Sequence, residues 1–345
     1  MIDHRPSLNH LLLCLLVLQL ACHHPARVAQ TDQAPTPPNT SPDVVLTPST
    51  PSFKFVAYGD IRFTASNALT EREASNRFAR TAIIDAIAKV KPAFVTISGD
   101  IPWHGADTGD WRVFDAETKP LANAHIPILP TVGNHEYYNR LYRLHRQAGL
   151  TNYLARFPQI PHRFAAPWYS ARYANCYFLF LDSEDDDSAG SPQQYWLRAQ
   201  LQSLSADVDY VFAIIHRPPY TADTDAYHRP RPSEREIARI LEDHQKSSLR
   251  PQIVMFAGHV HNYERYVHNG VQYIVSGGGG AHPYELKRSP DDLYKPADPA
   301  ETEYHYCLVT IDHQKLKMEM YRLNDRGDPG KFTVRDSFEL TVPPR

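Results

Sequence analysis

Five short polar motifs follow one another along the chain, each placed directly after an apolar run: Gly59-Asp60-Ile61-Arg62, Gly99-Asp100, Gly133-Asn134-His135-Glu136, Ile215-His216-Arg217-Pro218 and Gly258-His259-Val260-His261. The runs that precede them, at 54–58, 93–98, 126–131, 210–215 and 253–257, are short and apolar, which predicts strands. A carboxylate, carboxamide or imidazole therefore sits just past strand after strand, with glycine beside most of them to let the backbone turn sharply. In α/β sheets the loops beyond the strand ends are where ligands gather. A lone Gly-Asp or Gly-His is usually only a turn, but five in series point to one shared site. Oxygen and imidazole donors of this kind suit hard to borderline divalent or trivalent cations.

Further apolar runs lie at 176–181, 271–275 and 306–311, and helical patterns alternate with the strands, an α/β rhythm. The clearest helix carries Phe78, Ala82, Ile83, Ala86, Ile87 and Val90 at three-to-four spacing and is predicted to dock that stripe on a sheet. A second carries Leu197, Leu201 and Leu204. No long helix separates the late runs around Val271 and Leu308, which predicts antiparallel additions and a mixed pair of sheets. With no internal repeat and no second linker, residues 53–345 read as one domain.

The ordered series resembles the calcineurin-like metallophosphoesterases, whose motifs run Gly-Asp, Gly-Asp, Gly-Asn-His-Asp/Glu, His and Gly-His-x-His. A finer likeness to purple acid phosphatases lies in Gly258-His259-Val260-His261-Asn262-Tyr263-Glu264-Arg265, in Val275-Ser276-Gly277-Gly278-Gly279-Gly280, and in Gln194-Tyr195-Trp196-Leu197 before the lone-His strand. It spans essentially all of residues 53–345, and the linker stands where larger plant enzymes carry a β-sandwich. The resemblance implies a four-layer α-β-β-α sandwich of two mixed β-sheets flanked by helices. It also implies two cations (iron, manganese or zinc) bridged by Asp100, with Asn134, His216 and His259 completing one site and Asp60 and His261 belonging to the other. The implied reaction is hydrolysis of a phosphoric ester by metal-activated hydroxide, with His135 as general acid and Glu136 orienting its ring. The expected substrate is a small phosphomonoester. Phosphodiesterase or nucleotide pyrophosphatase activity on the same site is the alternative, because loop shape decides how many ester arms fit. Serine/threonine protein phosphatases place Asp-Arg-Gly after the second Asp, whereas Ile101-Pro102-Trp103-His104-Gly105 follows Asp100 here.

Two positions depart from the family pattern. Most members carry Asp-x-His at the first motif, and purple acid phosphatases instead supply a Tyr three residues after the second Asp; Arg62 and Trp103 stand there. Guanidinium stays protonated and indole offers no free acceptor, so neither replaces a ligand. The first cation is left with Asp60, Asp100, His261 and water, and the tyrosinate colour is expected to be absent. Three accounts stand open: Arg62 binds a phosphate oxygen bidentately in place of metal charge, His104 turns in as a ligand, or Arg62 faces the surface beside a weak first site. The missing ligand also motivates another class of function, a tethered, non-catalytic phosphate-binding pseudoenzyme.

Residues 1–22 read as a signal peptide with an apolar core at 11–21, too short to span a bilayer. Leu20-Ala21-Cys22 resembles the lipobox of bacterial lipoproteins, although Gln19 stands where that motif prefers Leu. The expectation is export to the periplasm or cell surface, with lipidation at Cys22 as the membrane link, or plain secretion. Residues 23–52 are rich in Pro, Thr, Ser and Gln and read as a solvated linker. Net charge is −3, which leaves no basic excess for nucleic-acid phosphates, so the expected partner is a small phosphoester. Cys176 and Cys307 lie in strand-like runs and read as buried thiols, with a disulfide as the alternative. The acidic run 184–187 reads as a solvated loop or a calcium site, the glycines 277–280 as a turn or a phosphate cradle, and Tyr220 and Tyr263 as packing or cleft residues.

Overall fold

The computed structural model describes residues 40–343 apart from 49, 51, 66–72, 140, 142, 162–166, 186–189, 297–302 and 325–329. The predicted signal segment, Cys22 and residues 23–39 of the predicted linker lie outside the described residues. The strands are β1 (Val44–Leu46), β2 (Ser52–Tyr58), β3 (Phe94–Ser98), β4 (Ile128–Thr131), β5 (Tyr169–Tyr173), β6 (Cys176–Phe180), β7 (Tyr210–Ile214), β8 (Gln252–Ala257), β9 (Tyr263–His268), β10 (Val271–Ser276), β11 (His305–Asp312), β12 (Lys315–Leu323) and β13 (Phe332–Thr341). The helices are α1 (Arg77–Val90), α2 (Thr108–Glu117), α3 (Lys119–Asn123), α4 (Arg146–Arg156), α5 (Pro192–Gln202) and α6 (Pro232–Ser247), with one 3-10 turn at His135–Tyr137.

Two mixed sheets result. One runs β1-β5-β6-β7-β8-β10-β9 and the other β13-β12-β11-β2-β3-β4. Their centres are parallel, β6-β7-β8-β10 in the first and β2-β3-β4 in the second, and antiparallel strands extend both. Central strands are buried on both faces, so they read as unbroken apolar runs. Along β6 and β7, Phe178, Phe180, Phe212 and Ile214 face the other sheet. The alternate residues Tyr177, Leu179, Val211 and Ala213 face the outer helices, where they meet Trp196 and Leu197 of α5 and Ile237 and Leu241 of α6. Between the sheets Phe55 stacks on Phe94 with ring centroids 5.3 Å apart and meets Phe178 and Phe212 edge-on at 5.3 and 4.8 Å. The architecture is the helix-flanked pair of mixed sheets that the resemblance implies.

The helices begin where the local chemistry supports them. The Asn76 side chain accepts from Ala79 N at the start of α1, Ser191 does so from Gln194 N before α5, and Pro232 opens α6 with the Glu234 carboxylate accepting from Arg231 N. The stripe expected on α1 needs correction. Phe78 is 46% exposed, and Ala79, Arg80, Ile83, Ile84 and Ile87 make the buried face. Arg80 can turn inward because its Nε donates to Glu117 Oε2 at 3.0 Å.

A second correction concerns the linker, whose last part is structured. Val44–Leu46 add to β5 as a parallel edge strand, Val44 is buried, and Ser170 N donates to Asp43 Oδ2 at 3.0 Å. Cys176 and Cys307 are buried free thiols, as the apolar runs around them suggest. Among the described residues no helix is long and apolar enough to cross a membrane.

Candidate metal centre

Asp60 and Asp100 follow the parallel strands β2 and β3, Asn134 and the 3-10 turn follow β4, His216 follows β7, and His259 follows β8. Because β2, β3 and β4 run parallel in one sheet and β7 and β8 in the other, these loops leave by the same edge of each sheet and converge. The backbone there is unusual. Asp60, Arg62, Asp100 and His259 all have positive φ, between 55° and 68°, a conformation that L-residues adopt at about 1–3 kcal/mol each and that clusters at functional sites. At Gly99 φ is 86°, and at Gly133 a Cβ would lie 2.5 Å from Asp100 Oδ1, so both positions require glycine.

Four of the predicted ligands face one another. His216 Nε2 lies 3.0 Å from Asn134 Oδ1, 3.3 Å from Asp100 Oδ1 and 3.2 Å from His259 Nδ1. His216 Nδ1–H donates to Ser98 O at 2.8 Å, which leaves Nε2 as a bare lone pair aimed at the other three atoms. His259 Nε2 accepts from Arg217 Nη1 at 2.7 Å, which places the ring proton on Nδ1, 3.2 Å from His216 Nε2; the other tautomer, with Nε2–H directed at Tyr227 O 3.3 Å away, is the one that frees Nδ1 for an ion. Asp100 Oδ1, Asn134 Oδ1 and a bare His216 Nε2 at such distances repel one another unless a proton or a cation lies among them. Donors on one ion with bonds of about 2.0–2.2 Å stand about 3 Å apart, so this half fits a metal ion.

Asp60 and His261 form a second group. His261 Nδ1–H donates to His282 O at 3.0 Å, and its Nε2 stands 3.6 Å from Asp60 Oδ1, too far for a hydrogen bond. Both atoms are buried and have no partner among the described residues. Asp60 Oδ2 accepts from His259 N at 2.8 Å, and Oδ1 is the oxygen that has no hydrogen-bond partner among the described residues. Asp60, Asp100 and His216 offer ligand atoms that all lie within 4.8 Å of one another, which ties the two groups together.

Electrostatics agree with this use. Burial keeps His216 below its ordinary value, and burial with neighbouring cations keeps His259 and His261 well below theirs, so all three rings are neutral donors. Burial opposes the charge on Asp100, yet His216, His135 and Arg62 outweigh it and hold that carboxyl well below the usual carboxylate range. At Asp60 burial and the Asp100 charge push the carboxyl well above it.

Arg62 is not a surface residue. Its side chain is 13% exposed, Nη2 donates to Asp100 Oδ2 at 3.1 Å, and the guanidinium lies 5.2 Å over the Trp103 ring. His104 does not turn in; its Nδ1 sits 3.1 Å from Asp110 Oδ2. Arg62, Trp103, His135, Tyr138, Tyr227, His228, His261, His282 and Tyr284 contribute to the walls of a cavity of about 480 Å³ over the centre.

The role expected for Glu136 changes. Its carboxylate does not orient the His135 ring but accepts from the backbone N–H groups of Asp100, Ile101 and Gly133 at 3.0, 2.8 and 2.6 Å. It is a positioning residue that joins the loops after β3 and β4. Burial and the Asp100 charge push it up to about 8, against the pull of those three donors. The His135 ring is held instead by Trp103 O, 2.6 Å from Nδ1.

The glycines 277–280 do not present a free phosphate cradle, since Gly277 N and Gly279 N donate to Asn262 O and Gly59 O. Nor is the acidic run simply solvated. Glu184 accepts from Arg217 Nε at 2.5 Å, and Arg217 in turn reaches His259; Asp186 and Asp187 lie outside the described residues. The Glu184–Arg217–His259 chain and the Tyr227 carbonyl escape sequence reasoning, although the position of Arg217 directly after His216 is a usable signal.

The family model described as calcineurin-like phosphoesterase matches residues 53–263, a span that holds all five motifs. Purple acid phosphatase 21 of Arabidopsis thaliana is 26% identical over 262 residues, covering 70% of this chain and 56% of its own length. Probable inactive purple acid phosphatase 27 of the same plant is 27% identical over 271 residues, covering 70% of this chain and 42% of its own. The chain thus spans about half the length of the curated relatives it matches. Among solved structures, a purple acid phosphatase from yellow lupin (Lupinus luteus) seeds superposes with a TM-score of 0.66 at 20% identity, covering 87% of this chain and 55% of that one, a likeness of fold.

Proposed function

The chain belongs to the calcineurin-like phosphoesterase family, and from that premise we propose that it hydrolyses phosphoric esters with a bound cation, acting foremost on small phosphomonoesters. The observation that carries the reading is the convergence of Asp100 Oδ1, Asn134 Oδ1, His216 Nε2 and His259 Nδ1 within 3.0–3.3 Å contacts behind an open cavity. The donor set suits iron, manganese or zinc. When bound, such a cation lowers the pKa of water towards neutrality and offsets phosphoryl charge.

The chain's own residues supply the rest. Arg62 lines the cavity with its Nη2 anchored on Asp100 Oδ2, which fixes a permanent cation where a phosphoryl oxygen would enter. His135 Nδ1–H is committed to Trp103 O, so Nε2 is the nitrogen that exchanges a proton with the leaving group. Burial and the nearby Arg62 cation hold the ring neutral, down to about 3. Its proton therefore has to come with the substrate. A phosphomonoester monoanion can pass its acidic proton to Nε2, and Nε2 returns it to the departing oxygen. A diester carries no such proton at neutral pH, which supports placing monoesters first and diester or pyrophosphate substrates second.

Export, with lipidation at Cys22, remains part of the proposal, supported by the apolar segment 11–21. The test of activity is nitrophenyl phosphate and its bis-ester, with manganese, zinc or iron supplied, beside an Asp100→Asn control. The expected outcome is monoester turnover that falls about a hundredfold or more in the control. Turnover no higher than the control would support the non-catalytic binding role instead, a reading that the engagement of Asp100 Oδ2 by Arg62 keeps in play.

A further inference from the structure

We propose that the fixed guanidinium of Arg62 stands in for the second cation of the centre. One metal ion is then held tightly by Asp100, Asn134, His216 and His259, and a second only weakly by Asp60 and His261. The inference rests on the phosphoesterase reading and concerns which charges occupy that same site.

Three observations carry it. A carboxylate bridges two ions either with one oxygen on each or with a single oxygen shared between them. Asp100 Oδ1 faces His216 Nε2 at 3.3 Å, but Oδ2 accepts from Arg62 Nη2 at 3.1 Å. With Oδ2 held by the guanidinium, the Asp60–His261 half has two donor atoms of its own, Asp60 Oδ1 and His261 Nε2, and shares Asp100 only through Oδ1, which already faces His216 Nε2 and accepts from His135 N at 3.0 Å.

The second observation is charge. Guanidinium is permanently protonated, Arg62 is only 13% exposed, and it shares a cavity wall with His261. A divalent ion at Asp60 and His261 would stand beside a like charge with little water to screen it. The third is that the Arg62 pose is built into the loop. Its backbone is at φ 57°, its N–H donates to Asp100 O at 3.0 Å, its carbonyl accepts from Ser75 Oγ at 2.9 Å, and its guanidinium rests over Trp103. Arg62 and Trp103, which occupy the two positions where ligands were expected, thus act as one unit that puts a cation where those ligands would have held one.

The test uses the full chain, stripped of metal with a chelator and titrated with Mn²⁺ by calorimetry and electron paramagnetic resonance. Loss of a single outer-shell partner already costs about 10–100-fold in metal affinity, so the second ion is expected to bind at least about 100-fold more weakly than the first. At one ion per chain the spectrum should be that of isolated Mn(II). Arg62→His, which removes the charge and returns an imidazole, is expected to bind two ions with similar affinities and give a spin-coupled spectrum. Arg62→Gln removes the charge without returning a ligand, and should tighten the second ion relative to wild type while leaving it the weaker of the two. Two ions bound with comparable affinity and spin-coupled in the wild-type chain would overturn the proposal and leave the phosphoesterase reading standing. A natively folded wild-type chain that binds no ion tightly would instead remove that reading itself.

Discussion

His135 concentrates the chemistry that one side chain contributes. Its ring is fixed by the Trp103 carbonyl, its Nε2 lies 3.8 Å from Asp100 Oδ2, and it lines the cavity beside Arg62. An alkoxide leaving group needs a proton in the transition state, whereas nitrophenolate departs unaided. Replacing His135 by Ala should therefore slow hydrolysis of an alkyl phosphate by about 10²–10⁴-fold and that of nitrophenyl phosphate much less. Steady-state kcat on the two substrates checks this, and an equal loss on both removes His135 from the acid role. Glu136, adjacent in sequence, shows how far residue type alone can mislead. A carboxylate beside a histidine suggests a pair, but three backbone N–H groups claim it, and it works by holding Asp100 and Gly133 in register.

Across elements, the two sheets are tied together near the site by a buried histidine. His305 of β11 places Nε2 2.9 Å from Ser276 Oγ of β10, and its Nδ1 pairs with Glu303 O. Burial pushes this ring down from 6.5 to about 4. Above pH 6.5 the ring is neutral in both folded and unfolded chains and carries no penalty. As pH falls from 6.5 towards 4 the unfolded chain takes up a proton that the folded one refuses, so stability drops by about 3 kcal/mol through this group. Denaturant unfolding of chelator-treated protein should show that loss, and His305→Gln should reduce the slope across the window by about 1.4 kcal/mol per pH unit. Identical slopes in the two proteins would show that His305 ionises as readily folded as unfolded. Most central strands were legible because burial on both faces makes them plain apolar runs, as in Cys176–Phe180 and Tyr210–Ile214. Of the edge strands β1, β4, β9 and β13, only β4 was. β13 alternates intermediate and exposed residues, β9 runs straight on from the Gly258 motif, and β1 sits in a Pro-rich stretch, so each gains its strand identity from a partner and not from its own pattern.

At the scale of the whole molecule, residues nearly 200 positions apart, such as Asp60 and His259, meet because parallel strands of two stacked sheets deliver their loops to one place. The candidate ligands could be read from sequence because each is a chemically distinctive residue after an apolar run. Their supporting partners could not, since backbone carbonyls of Ser98, Trp103, Tyr227 and His282 carry no side-chain signature. The central claim is that this convergence holds a metal ion, and anomalous diffraction from a crystal grown with zinc or manganese tests it directly. The account expects a strong peak in contact with Asp100 Oδ1, Asn134 Oδ1, His216 Nε2 and His259 Nδ1, with a weaker one or none between Asp60 and His261. Anomalous density confined to other parts of the molecule, with these four side chains bound only to water or to one another, would contradict it.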